Sequence, residues 1–216
     1  MVAQHLRRPL AATFEDVTTA APPGLAVRRA RPGDAPYVAW LAALTFPLAC
    51  PPGTAVETMA AHIAAKLTPE QFLRWATSSD HALMVAEHTT ATDEPAIVGY
   101  ALVALGQPDG SAEADAVRDA TGSSGPYLEL SKIYVHPQVR GTGVADALMA
   151  GSVEAAAELA ARSGGDVPLW LGTNRGNTRA QSFYRRHGFV VVGHRTYDVG
   201  GVEHDDVVML HTATGD

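Results

Sequence analysis

The residues Gln138-Val139-Arg140-Gly141-Thr142-Gly143 stand between Tyr127 to Val135, which alternates like a β-strand, and Val144 to Arg162, an alanine-rich run with the pattern of a long helix. A strand that passes through Gly-x-Gly straight into a helix aims unpaired backbone N–H groups and the positive end of the helix dipole at one point. That is the chemistry of an anion site. Gly141 and Gly143 lack the Cβ atoms that would hold a diphosphate off the backbone, and Arg140 adds a positive charge. Taken alone, Gly-x-Gly describes a tight turn equally well. A P-loop needs Gly-Lys-Ser/Thr, but Val144 and Ala145 follow Gly143. A dinucleotide loop needs a third glycine at 146, where Asp146 would repel the phosphates.

The elements that must position this loop can be followed along the chain. Residues 1 to 23 show no sustained period and read as a flexible arm, with a single domain over 24 to 213. Leu25 to Arg29 alternates like a short strand, and Arg31-Pro32-Gly33-Asp34 turns the chain into a helix towards Phe46. Val56 to Lys66 is expected to be helical, and Thr68-Pro69-Glu70-Gln71 reads as a capping box opening the helix of Phe72 and Trp75. His81 to Glu87 and Ala96 to Leu105 form an expected antiparallel hairpin. Residues 106 to 125 read as a mobile insertion, with a short helix possible at 112 to 120. After the long helix, Val167 to Leu171 is a short strand, Asn177 caps a helix over Thr178 to His187, and Gly188 ends it. Phe189 to Gly193 and Val202 to His211 are the last strands. The order predicts an α/β fold of the mixed α+β kind, a mostly antiparallel sheet flanked by helices.

Composition narrows the function. With 216 residues, 46% hydrophobic and 18% charged, the chain suits one globular domain. A net charge of -7 argues against a nucleic-acid partner and suits a cationic substrate slightly better. Cys50 is the sole cysteine, so no internal disulfide forms, and the nine histidines lack metal-ligand spacing, so no metal is expected. Without an apolar run of membrane length or a leader-like N-terminus, the expectation is a cytoplasmic protein with no membrane partner; a homodimer stays open.

The stretch Leu130-Ser131-Lys132-Ile133-Tyr134-Val135-His136-Pro137-Gln138-Val139-Arg140-Gly141-Thr142-Gly143-Val144 resembles the acetyl-CoA signature of the GNAT superfamily of N-acetyltransferases, an apolar strand joined to Arg/Gln-x-x-Gly-x-Gly/Ala. Downstream, Asn177, Ala180, Phe183-Tyr184 and Gly188-Phe189 are similar to the family's Asn-x-x-Ala-x-x-Phe-Tyr-x-x-x-Gly-Phe segment. Two motifs in the right order and separation say far more than either alone. Trp170-Leu171-Gly172 and Gly193 to Met209 look most like a bacterial branch that includes polyamine N-acetyltransferases. The arm, the insertion and Thr173-Asn174-Arg175-Gly176 depart from that branch and bear on the acceptor.

The resemblance implies acetyl-CoA as donor cosubstrate and a small-molecule primary amine as acceptor. Backbone groups of Ile133, Tyr134 and Val135 would then polarise the thioester carbonyl and pair with the pantetheine arm. Residues 138 to 144 would hold the diphosphate, with Asn177 first a helix cap and secondarily a cofactor contact. An alkylammonium of pKa about 10.4 must lose a proton to attack, at a cost of more than about 4 kcal/mol at pH 7. Glu129 is the candidate base, directly or through a water, because several family members carry a glutamate there; an ordinary paired glutamate fits the letters as well. Tyr184 is the candidate acid for the leaving thiolate, against the alternative that it only packs beside Phe183. Strand alternation puts Ser131 on the side of Glu129 unless a bulge intervenes. Asp205 and Asp206 could hold a cationic acceptor, although two acids near a strand more often mark a solvated turn. Alternatives are a protein lysine or N-terminal acetyltransferase, a non-catalytic acyl-CoA-binding regulator and, last, a dinucleotide-dependent oxidoreductase.

Overall fold

A computed structural model describes residues 23–51, 53–89, 95–199 and 202–212. The expected arm at 1 to 23 lies, apart from Pro23, outside the described residues. Strands β1 (Leu25–Arg29), β2 (His81–His88), β3 (Ala96–Gly106), β4 (Tyr127–Val135), β5 (Leu169–Asn174), β6 (Phe189–Val199) and β7 (Val202–His211) form one sheet. Its order is β1-β2-β3-β4-β5-β7-β6. Only β4 and β5 pair in parallel, so the sheet is mixed and mostly antiparallel as expected.

Helices α1 (Ala35–Thr45), α2 (Val56–Lys66), α3 (Pro69–Thr77), α4 (Ser111–Thr121), α5 (Val144–Arg162) and α6 (Thr178–Arg186) surround it. Two of their starts follow from capping. Thr68 Oγ1 accepts the Gln71 N–H at 3.3 Å to begin α3, and Asn177 Oδ1 accepts the Ala180 N–H at 3.0 Å to begin α6.

Alternation along the strands divides the core in two. On one face Met84, Ala101, Leu128, Leu130, Leu171 and Met209 pack with Val144, Leu148 and Leu159 of α5, and α6 joins them through Phe183 and Tyr184. On the other, Leu83, Val85, Tyr100 and Leu102 lie beneath α1 and α3. Farther along that second face, Tyr127, Trp170, Val208 and Leu210 pack against Val117 of α4.

Within residues 106 to 125, read as a mobile insertion with a short helix at 112 to 120, the chain forms one helix. Helix α4 spans Ser111–Thr121, with Glu113 and Val117 buried, because its apolar and acidic sides both find partners on β6 and β7. Arg195 of β6 bonds Glu113 at 3.1 Å and Asp206 of β7 at 3.4 Å, the two carboxylates buried and the guanidinium nearly so. Glu113→Ala is expected to cost about 2 to 4 kcal/mol, because truncating one partner leaves a buried guanidinium under-compensated. Thermal or urea denaturation followed by circular dichroism reads it; an unchanged melt would show that α4 is not held this way.

Strand β4 carries one irregularity that matters for the site. Leu130 pairs with Val103 and Lys132 with Leu102, leaving Ser131 without an opposite residue. This bulge resets the alternation: Leu130 and Ile133 both face α5, so Glu129 and Lys132 share the opposite face. The pairing of Glu129 with Ser131 that strict alternation predicts gives way to a pairing of Glu129 with Lys132.

Candidate active site

Strands β4 and β5 are paired only through Leu128 with Leu169 and Glu129 with Trp170. Beyond these residues β4 runs on to Val135 and β5 to Asn174 unpaired with each other, so the sheet opens into a wedge. Backbone N–H and C=O groups along such an opening need partners, and an extended amide-bearing ligand supplies them. Ile133, Tyr134 and Val135 line the β4 side of the wedge.

At its wide end lies the glycine loop. A 3-10 turn over Pro137–Val139 follows β4, with the Gln138 N–H bonded to His136 Nδ1 at 3.3 Å. Thr142 closes the loop on itself, its N–H and Oγ1 meeting the Val139 carbonyl at 3.3 and 2.7 Å. Val139 and Val144 turn their side chains to the core, leaving the backbone between them to the outside, with Arg140 exposed. Gly141 and Gly143 have φ of 80° and 86°, left-handed values that other residues adopt only at a cost. A Cβ on Gly141 would meet nothing within 4 Å. The open space above that backbone, together with the unpaired first N–H groups of α5, fits a diphosphate. Asp146, in the first turn of α5, is turned away to His187 Nε2 at 2.9 Å.

Gly141→Ala is accordingly expected to cost only about 1 to 2 kcal/mol in stability, from backbone strain. Its acetyl-CoA Kd, measured by calorimetry, should rise at least about tenfold as the methyl occupies ligand space. An unchanged Kd would remove the loop from the binding site.

Glu129 and Tyr184 approach the wedge from opposite faces. Glu129 borders a cleft of about 150 Å³ shared with Asp109, Pro108, Tyr127 and Trp170. Burial pushes its carboxyl pKa up, while the charges of Arg195 and Lys132 pull the other way. The result is a stronger base than an exposed glutamate. Tyr184 is packed with Phe183 and Phe189, ring centroids 5.6 and 6.0 Å away. Burial raises its phenol pKa, and the Tyr134 phenol adds to the effect. Tyr134 stacks on Tyr100 at 5.5 Å beneath α1 and α3, so it acts on Tyr184 from the opposite face of the sheet.

Asn177 is realised as the cap of α6. Gln181, one turn on, fixes the approach to it by donating to the carbonyls of Arg175 and Asn174 at 2.8 and 3.3 Å. The acidic pair at the end of the chain needs correction: Asp206 is not in a solvated turn but buried in β7 opposite Asn174, bound to Arg195. Asp205 stays exposed beside it. Two further residues escaped the reading of the letters. Lys132 sat inside the quoted motif without a role, although a lysine in an apolar strand is itself a signal. Tyr134 was expected to contribute only backbone.

A mostly antiparallel sheet split between its two parallel strands, with a glycine loop at the split, defines an acyltransferase architecture, and the chain belongs to the GNAT family of acetyltransferases, whose family model matches residues 51–189. An uncharacterized N-acetyltransferase of Mycobacterium tuberculosis and one of Mycobacterium bovis are each 37% identical over 177 residues, covering 82% of this chain and 96% of theirs. The fold is similar to that of the PaiA N-acetyltransferase of Thermoplasma acidophilum in complex with coenzyme A, with a TM-score of 0.59, 17% identity, and 87% and 98% of the two chains covered. It is also similar to that of Arabidopsis thaliana NAA60 in complex with acetyl-CoA, with a TM-score of 0.57, 17% identity, and 88% and 99% of the two chains covered. Among the described residues no helix is long and apolar enough to cross a membrane.

Proposed function

We propose that this acyltransferase moves an acetyl group from acetyl-CoA to the primary amine of a small molecule, by direct attack of the amine on the thioester. The observation that carries this is the placement of Glu129 and Tyr184 on opposite faces of one wedge, the first beside a cleft and the second in the core. A base on one face and an acid on the other can serve the two proton transfers at one carbonyl without either group having to move.

Acetyl-CoA supplies the activated acetyl thioester. Backbone groups of Gln138 through Val144 and the start of α5 hold its diphosphate, and Ile133, Tyr134 and Val135 orient its amide-bearing arm. Glu129 takes a proton from the acceptor ammonium, directly or through one water, so that the lone pair is free. The C–N bond forms as the C–S bond breaks, Tyr184 gives its phenolic proton to the departing sulfur, and the second proton of the acylated nitrogen is released to solvent, from which the phenol is reprotonated as Glu129 gives up the proton it took. Asn177 contributes through the placement of α6.

Release of free coenzyme A from acetyl-CoA, followed with a thiol reagent across alkylamines, diamines, amino acids and a lysine peptide, tests the proposal. Acceptor-dependent release with a small amine supports it. Release with the peptide alone would redirect the acceptor to protein, and no release despite tight acetyl-CoA binding would make the chain a binding module.

A further inference from the structure

Next to Glu129 on the acceptor side of the sheet stands a cation that the transfer itself does not use. Lys132 follows the bulge at Ser131, which turns its side chain under α3 rather than towards α5. Its ammonium lies 5.0 Å from the centroid of the Trp75 ring and 3.3 Å from Ser131 Oγ. Neither partner carries a negative charge. Among the described residues no carboxylate comes within ion-pair distance of it. Glu129 acts on it only at longer range, and His62 of α2 feels its charge from the other side. Burial lowers the pKa of this ammonium, as expected where an opposite charge would be welcome.

We propose that Lys132 is a specificity-determining residue that binds a carboxylate on the acceptor, so that the preferred substrate is an amine that also carries a carboxylate. The inference rests on the small-amine function above and names its substrate class. Glu129 and Lys132 present one negative and one positive group side by side on one sheet face, the complement of a zwitterion. An amino acid seated with its carboxylate on Lys132 directs its ammonium towards Glu129. A diamine instead brings a second positive charge beside a largely buried ammonium, where like charges repel in a medium less polar than water. The Trp75 ring beside the Lys132 ammonium offers an apolar surface to the carbon chain that joins the two ends.

The test compares n-butylamine, 1,4-diaminobutane, 4-aminobutanoate and a set of α-amino acids as acceptors, by kcat/KM for coenzyme A release. In the native protein at least one carboxylated amine is expected to exceed n-butylamine and the diamine by about tenfold or more. Lys132→Met should reduce that preference to less than about threefold, mainly through KM; loss of its charge also raises the Glu129 pKa, an effect common to all the acceptors that the ratio to n-butylamine cancels. Lys132→Arg keeps the charge and should keep part of the preference. Thermal melts of both variants establish that they are folded. A diamine preferred over every carboxylated amine, or a preference that survives in a folded Lys132→Met, would overturn the proposal while leaving the transferase intact. No release with any of these amines would contradict the small-amine function itself, and this inference with it.

Discussion

Tyr184→Phe is expected to lower kcat by about 10²- to 10³-fold while the KM for acetyl-CoA changes less than about threefold, the size of effect general acid catalysis commonly contributes. The substitution removes one oxygen and keeps the ring that packs with Phe183 and Phe189, so the melt should move little. The expectation turns on burial, which raises the Tyr184 phenol pKa above its ordinary value of 10.0. The phenol therefore holds its proton across the working range, and the native protein should show no loss of kcat on the alkaline side below about pH 10 from this group. Without the phenol the sulfur leaves as a thiolate. Steady-state coenzyme A release from pH 6 to 10 measures both effects; a kcat within threefold of native would return Tyr184 to a packing role.

Glu129→Gln should lower kcat/KM by about 10²-fold or more for acceptors that are ammonium ions at neutral pH, and it should also raise stability. The sign follows from the direction of the pKa shift. Burial lifts the folded-state carboxyl above its unfolded value, so the folded state binds the proton more tightly than the unfolded one. The stability this confers is full below the unfolded value and is lost as pH rises through the folded one. Glutamine, always neutral, loses nothing there. The variant should thus melt higher than the native protein at pH 7, by about 2 to 4 °C per kcal/mol recovered, and match it near pH 4. The acid limb of the native kcat/KM profile should lie above the ordinary carboxylate pKa of 4.5 and vanish in the variant. A variant that melts lower at pH 7 and keeps its rate would show Glu129 to be a paired structural acid.

The parts of this site legible in the sequence are those written by local rules. Gly141 and Gly143 mark left-handed backbone, Thr68 and Asn177 mark helix starts, and the strand before the loop alternates. These depend on residues a few positions apart, so spacing reveals them. The neighbours of Glu129 depend on pairing between distant strands. One unpaired residue, Ser131, decides that Lys132 rather than Ser131 shares its face, and the register of β3 against β4 sets where that residue falls. Asp206 looked solvated because Asp205 and the turn lie close in sequence, while its partner Arg195 comes from β6 and Glu113 from α4. In the segment before β4, Glu113 finds its partner only once β6 is in place, which no local spacing shows.

The most direct test of acetyl transfer to a small amine is mass-spectrometric measurement of N-acetylated amine and free coenzyme A in one reaction. Equal amounts of the two, formed only when protein, acetyl-CoA and amine are all present, are the expected result. Coenzyme A without acetylated amine, or no product with any small amine under saturating acetyl-CoA, would contradict it.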